Sequence, residues 1–226
     1  EFRSSGYDFD PVRGQGSLAP YDLSFYQLFD VLNGLRYMLA IKPAINRQRV
    51  FHYGGSQGGH LALLSAIFAP HTFAFVYAAS PMTHVPVDMM AETGRSFAPY
   101  ELAARDVTAH AESIHCPVYL EHGTADAIVN CEAHSCALEN RLTQLGRFVH
   151  ADYYEGGGHG LEPVTNRLET FKHVAPEPMR SLRLSEPDDF ARGSMIEIIC
   201  ADCILRIDWS QPATSTELFV WLPYHA

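Results

Sequence analysis

The sequence has no run of basic residues. Its 16 Lys and Arg are outnumbered by 26 Asp and Glu, for a formal charge of −10. Nothing gathers the positive charge into a patch that would grip phosphates or anionic lipid, so neither a nucleic-acid nor a membrane-surface partner is expected. No apolar stretch comes near the roughly 18 residues that a membrane-crossing helix takes. Cysteine is scarce: Cys116, Cys131, Cys136, Cys200 and Cys203 are odd in number and follow no repeating spacing. The lone C-x-x-C of "CADC" lacks the second pair of a structural zinc site. Free or core thiols in a reducing, cytoplasmic setting are the expectation. An opening Met is missing too. The chain starts "EFRSSGYDF", and Glu-Phe is what a translated restriction site leaves behind. The expectation is a piece of a longer protein with its natural N-terminus removed, in which a missing leader says little about location.

What remains after these exclusions is an ordinary globular composition. The 226 residues are 47% hydrophobic and 19% charged, enough for a core that buries roughly 70% of the surface of the unfolded chain. Residues 9–18, "FDPVRGQGSL", have the Pro and Gly spacing of a loop. From Asp22 to Ile41, Phe25, Leu28, Phe29, Leu32, Leu35 and Leu39 recur at helical spacing, and Pro43 ends the pattern. "RVFHY" (49–53), "FAFVYAAS" (73–80), "CPVYLEHG" (116–123) and Val149–Tyr154 read as buried strands. Helices are expected over 60–69, 131–145 and 161–174, with loops and short helices in the excursion at 81–113. Strands that are almost unbroken apolar runs, alternating with helices, predict a parallel sheet covered on both faces. From Ala175 the texture becomes Pro-rich and charged, and then "MIEIICADCILRIDW" and "ELFVWLP" read as β segments. The expected division is a partial catalytic domain over 1–174 and a small β-rich extension with a packing role over 175–226.

One stretch carries chemistry. "HYGGSQGGH" (52–60) puts Ser56 in a G-x-S-x-G pattern between an apolar strand and an apolar helix. A flexible Gly/Ser loop is the plain alternative, and the flanking elements argue against it. A sharp strand-to-helix turn lifts the hydroxyl above the sheet and leaves no room for β-carbons, so Gly54 and Gly58 are expected to face each other across it. The Gln57 N–H at the helix start is aimed where negative charge develops on an attacked carbonyl.

A serine hydroxyl is a poor nucleophile without a base, and the base needs an orienting acid. Of the 12 histidines, His159 in "YYEGGGHG" follows a strand end among glycines, on the same sheet edge as Ser56. His122 in "LEHG", at another strand end, is expected to support its adjacent loop, with contact to the site as the alternative, and His52 and His60 to serve packing. "HGTADAIVN" supplies Asp126 after the third strand, with a turn-capping role as its plain alternative. Ser56, Asp126 and His159 thus fall in the order Ser, Asp, His, each beyond a parallel strand. Phe97 and Tyr100 are candidate pocket or core aromatics, and Phe75 and Tyr77 are expected in the core.

Through these residues the chain resembles an α/β-hydrolase of the prolyl oligopeptidase-like and acetyl xylan esterase-like branches, over roughly residues 10–174. "HGTADAIVN" resembles the family's acid loop and "YYEGGGHG" its histidine loop. "PVRGQG" (11–16) resembles its Arg-Gly segment, and "GGSQGG" is closer to the acetyl esterase turn than to that of the peptidases. The resemblance implies Ser56 as nucleophile, His159 as general base and then acid, Asp126 as its partner, and Gln57 as one oxyanion donor. The family's first strands and second oxyanion donor have no counterpart here. It implies ester hydrolysis by two-step acyl transfer without metal or organic cofactor, on a small-molecule ester. The alternatives are a serine peptidase acting on short peptides and a non-catalytic relative. Oligomeric state and substrate size leave no trace in the sequence.

Overall fold

The computed structural model describes residues 9–10, 15–16, 23–86 and 97–224. The Arg-Gly segment at 13–14 and the part of the 81–113 excursion from 87 to 96 lie outside them. Within the predicted loop at 9–18, β1 (Phe9–Asp10) and β2 (Gln15–Gly16) form a two-residue antiparallel ladder.

Four strands form the parallel sheet: β3 (Phe51–Gly55), β4 (Phe75–Ala79), β5 (Val118–Gly123) and β6 (Val149–Tyr154), in that spatial order. Side chains alternate between its faces because successive Cβ atoms point to opposite sides. Phe51, Tyr53, Phe75, Tyr77 and Tyr119 share one face, packed against Phe171, Val174, Met179 and Leu182. Val76, Ala78, Val118 and Leu120 belong to the larger core on the other. The central strands β4 and β5 are buried along their whole length, whereas β6 is half exposed and carries His150 and Asp152.

Helix α1 (Phe25–Ile41) turns Phe25, Leu28, Phe29, Leu32 and Leu39 inward, the stripe that the sequence predicts. It starts three residues later than expected, because Leu23 and Ser24 adopt positive φ, 48° and 80°. Helix α2 (Gln57–Phe68) is apolar all round and packs between the sheet and α1, where a helix without a polar face belongs. Next come α3 (Pro99–Ala103) and α4 (Ala137–Gln144), the latter entered through a π-helical turn at Glu132–Cys136. The last predicted helix, 161–174, is shorter: α5 spans Arg167–Val174. Pro163 breaks the pattern, and the Asn166 side chain caps the true start by accepting from the N–H groups of Leu168 and Glu169. Helix α6 (Pro176–Ser181) follows, supplying Met179 to the aromatic face, and then the short α7 (Asp189–Arg192).

The C-terminal segments form a separate antiparallel sheet of β7 (Met195–Cys200), β8 (Cys203–Asp208) and β9 (Phe219–Pro223). Its inner side joins the main core through Ile198, Cys200, Leu205 and Ile207, with Trp209 beyond the end of β8. Trp209 is fully buried, donates its indole N–H to the Phe68 carbonyl at 2.9 Å, and packs on Phe29 and Phe190. Cys200 and Cys203 are cross-strand partners at the β7–β8 turn, and all five thiols are free.

Candidate active site

Ser56 occupies the single residue between β3 and α2. Its backbone is held at φ 56°, ψ −122°, outside the regions that side chains favour. Two contacts keep it there: its N–H donates to the Ala79 carbonyl at 2.8 Å, and its carbonyl accepts from the His60 N–H at 3.1 Å. A β-carbon on Gly54 would come 2.0 Å from the Gly58 carbonyl oxygen, so the turn demands glycine there. The expectation for Gly58 needs correcting. A β-carbon on it meets nothing within 4 Å, because it points away from the turn that its carbonyl crowds. Gln57 opens α2, so its N–H is one of the first-turn donors that the helix itself cannot satisfy. Its side-chain amide donates to Gln27 Oε1 at 2.7 Å.

The loops after β5 and β6 lock together. Gly123 packs so close to the second loop that a β-carbon would lie 2.1 Å from the Gly157 carbonyl oxygen. That carbonyl accepts from the Ala125 N–H at 2.9 Å, and Thr124 Oγ1 accepts from the Gly156 N–H at 2.9 Å. The result brings the three sequence candidates into one line. His159 Nε2 lies 2.8 Å from Ser56 Oγ, and His159 Nδ1 lies 2.8 Å from Asp126 Oδ2. The Asp126 side chain is fully buried, that of His159 only 19% exposed. Burial by itself would raise the Asp126 pKa. Hydrogen bonds from the Val129 N–H, from His159 and from the Ile128 N–H outweigh it and hold the carboxyl below its ordinary value.

Two side chains missed in the sequence brace the histidine loop. The His159 carbonyl accepts from Ser80 Oγ at 2.8 Å and from Arg167 Nη2. Neither belongs to a motif. The faint signal was Ser80 at the C-terminal end of β4, on the edge where active loops gather.

The remaining histidines separate by their partners. His52 bonds Ser65 Oγ at 3.0 Å, and His60 spans Ser24 Oγ at 3.1 Å and the Arg105 carbonyl at 2.9 Å. Burial lowers both to a pKa of about 4, as suits packing residues. His122 reaches Asp126 Oδ2 at 3.0 Å as well as its own loop, at the Val129 carbonyl. Tyr100 packs edge-on to Trp221, with ring centroids 4.7 Å apart, and Phe97 lies under the Arg105 guanidinium. Phe75 and Tyr77 are core residues.

A parallel sheet covered by helices on both faces, with its strand-end loops meeting over a strand–serine–helix turn, is the core of an α/β-hydrolase. Within that class the prolyl oligopeptidase family model matches residues 21–175, and the chain belongs to that family. Among solved structures it is similar to the Pyrococcus horikoshii acylaminoacyl peptidase (18% identity, TM-score 0.61, 73% of this chain and 29% of that one). It is also similar to the dipeptidyl peptidase 4 of Porphyromonas gingivalis (18%, TM-score 0.58, 67% and 22%). A Mycobacterium tuberculosis puromycin-hydrolyzing peptidase is a third (20%, TM-score 0.54, 69% and 25%). The chain thus spans between 22% and 29% of the length of these relatives. No curated protein matches it.

Proposed function

We propose that the chain carries a serine hydrolase site that works by two-step acyl transfer. The observation behind this reading is the unbroken line from Ser56 Oγ through both nitrogens of His159 to Asp126, with 2.8 Å at each contact. Asp126 is acceptor-only when ionised, so the His159 proton sits on Nδ1 and Nε2 offers a lone pair to the serine hydroxyl. Ser56 attacks the carbonyl carbon as His159 takes its proton, and the Gln57 N–H stabilises the oxyanion. The leaving group departs with that proton. Water, deprotonated in turn by His159, then cleaves the acyl-enzyme and regenerates the serine.

Two substrate classes follow, each from its own observation. The ester reading rests on Gln57, the residue after the serine. The peptide reading rests on family membership and on the peptidase names of the similar structures, and we favour it. The Gln57 side chain is engaged by Gln27 at 2.7 Å, so its identity bears weakly on the substrate. An ester is the easier substrate for either enzyme, since an alcohol leaves more readily than an amine; amide cleavage is the discriminating activity. The chain is incubated with a fluorophosphonate probe, p-nitrophenyl acetate and a peptide p-nitroanilide. Labelling at Ser56 with anilide turnover supports the peptidase, and labelling with ester turnover alone supports the esterase. Without any labelling of Ser56 the hydrolase reading falls and a non-catalytic relative remains.

A further inference from the structure

His122 ends in a position that loop support alone does not explain. It is fully buried at the end of β5, with Nε2 facing two oxygens: Asp126 Oδ2 at 3.0 Å and the Val129 carbonyl at 2.9 Å. Neither oxygen has a proton to give, so Nε2 carries one. Nδ1 lies 2.7 Å from Ser135 Oγ, itself fully buried in the π-helical turn. Burial pushes the His122 pKa below its ordinary value. The ring is therefore neutral, and Nδ1 accepts the Ser135 hydroxyl proton. The two oxygens at Nε2 thus set the tautomer that aims an N–H at the carboxylate, and the Ser135 hydroxyl holds the ring from its other side.

We infer that His122 is a positioning residue for Asp126, a second imidazole that shares Oδ2 with His159 and sets how strongly the carboxylate holds it. Asp126 then accepts four N–H groups: Ile128 and Val129 on Oδ1, both at 2.9 Å, and His122 and His159 on Oδ2. Four donors fix the carboxylate plane and keep it ionised. The His122 share also draws off charge that would otherwise stabilise an imidazolium at 159. A base held too tightly in its protonated form is slow to return the proton to the leaving group. The inference rests on the acyl-transfer reading of Ser56, Asp126 and His159.

Other ionisable groups surround this pair. His134 accepts the Thr83 N–H at 3.1 Å and is lowered to about 4, chiefly by burial. His84 stacks on it at 4.4 Å. Cys131 is pushed up to about 12 by burial, and Arg167 sits on the far side, on the His159 carbonyl. A His84→Gln variant serves as control, because His84 stacks on this turn from another loop.

The test compares His122→Leu, His122→Gln and Ser135→Ala in the 226-residue chain. The first readout is the proton resonance of the His159 Nδ1–H, which does not require activity. His122→Leu removes a competing donor, so the His159 bond strengthens and its resonance moves downfield; His122→Gln, which keeps an N–H, restores it toward the wild-type position. Ser135→Ala gives a smaller downfield shift. In turnover, His122→Leu lowers kcat by about tenfold to a hundredfold, the rate equivalent of one hydrogen bond to a charged group, with little change in KM. The acid limb of its pH–rate profile moves to higher pH by about half a unit, and that of His84→Gln does not move. A resonance and acid limb that stay put while only the melting temperature falls would reduce His122 to loop packing and overturn the inference. If His122→Leu does not fold, Ser135→Ala decides by the same resonance. Absence of fluorophosphonate labelling would sink the acyl-transfer reading alone, since the resonance still reports on the coupling.

Discussion

Strand β4 buries all five of its residues, whereas β7 buries only Ile198 and Cys200 of its six. The contrast follows from strand direction together with place in the sheet, since β4 is central while the parallel edge strands β3 and β6 are mostly half-buried. Parallel strands need crossover helices, which cover both faces and deliver every strand end to one edge. Antiparallel strands turn back directly: β7 and β8 are joined by Ala201 and Asp202 alone. The tail sheet therefore has one wet face, with Met195 and Ile199 more than half exposed, and no set of loops that converges. Two sheets in one chain thus divide the work, one presenting loops and the other closing a core.

Substitutions can break that division. The largest effect belongs to the loop edge: Ser56→Ala is expected to lower turnover by about four to six orders of magnitude, with an unchanged melting temperature, as read by progress curves and calorimetry. Trp209→Ala attacks the tail instead. It empties a fully buried site and orphans the Phe68 contact, so a loss of about 3–5 kcal/mol in urea unfolding is expected. Fluorophosphonate labelling of the still-folded fraction should persist. Loss of labelling in parallel with full retention of the fold would mean that the tail takes part in the chemistry.

Acid separates the regions less sharply. His52, His60 and His134 are all lowered by burial to about 4, and all lie outside the tail. The unfolded chain takes up protons at these residues near pH 6.5, and the folded chain only near pH 4. More protons on the unfolded state means that their contribution is complete above that window and falls as pH drops through it. Asp126, lowered in the folded state, acts in the same sense at lower pH. Urea midpoints at pH 7 and 5 measure this. Both tryptophans, Trp209 and Trp221, sit in the tail. A Trp fluorescence transition that separates from far-UV dichroism on acidification would show the two sheets unfolding independently. The smallest effect is at Arg206, whose exposed pair with Glu197 closes at 2.7 Å: Arg206→Ala should cost about 0.2–1 kcal/mol and leave turnover alone.

Much of this was legible in residue order. The apolar stripe of α1 and the four β runs report burial directly, since both depend on local periodicity. The errors were local too. The helix expected from Leu161 runs through Pro163, and the Gly54–Gly58 pair is not symmetric, since only Gly54 has a β-carbon direction that collides. Ser80 left only its place at a strand end, and Arg167 and Ser135 no usable mark, because a hydroxyl or guanidinium in an ordinary segment looks the same with or without a distant partner.

By itself the sequence determined which strand-end loops carry Ser56, Asp126 and His159, and that these loops share one edge, because a chain of alternating strands and helices has essentially one way to cover a parallel sheet. Only the tertiary structure decided that Ser80 meets a carbonyl 79 residues away and that two imidazoles share one carboxylate oxygen. Those contacts depend on strand order, register and loop packing to within an ångström, and short-range hydrogen bonds across such gaps have no periodicity to read.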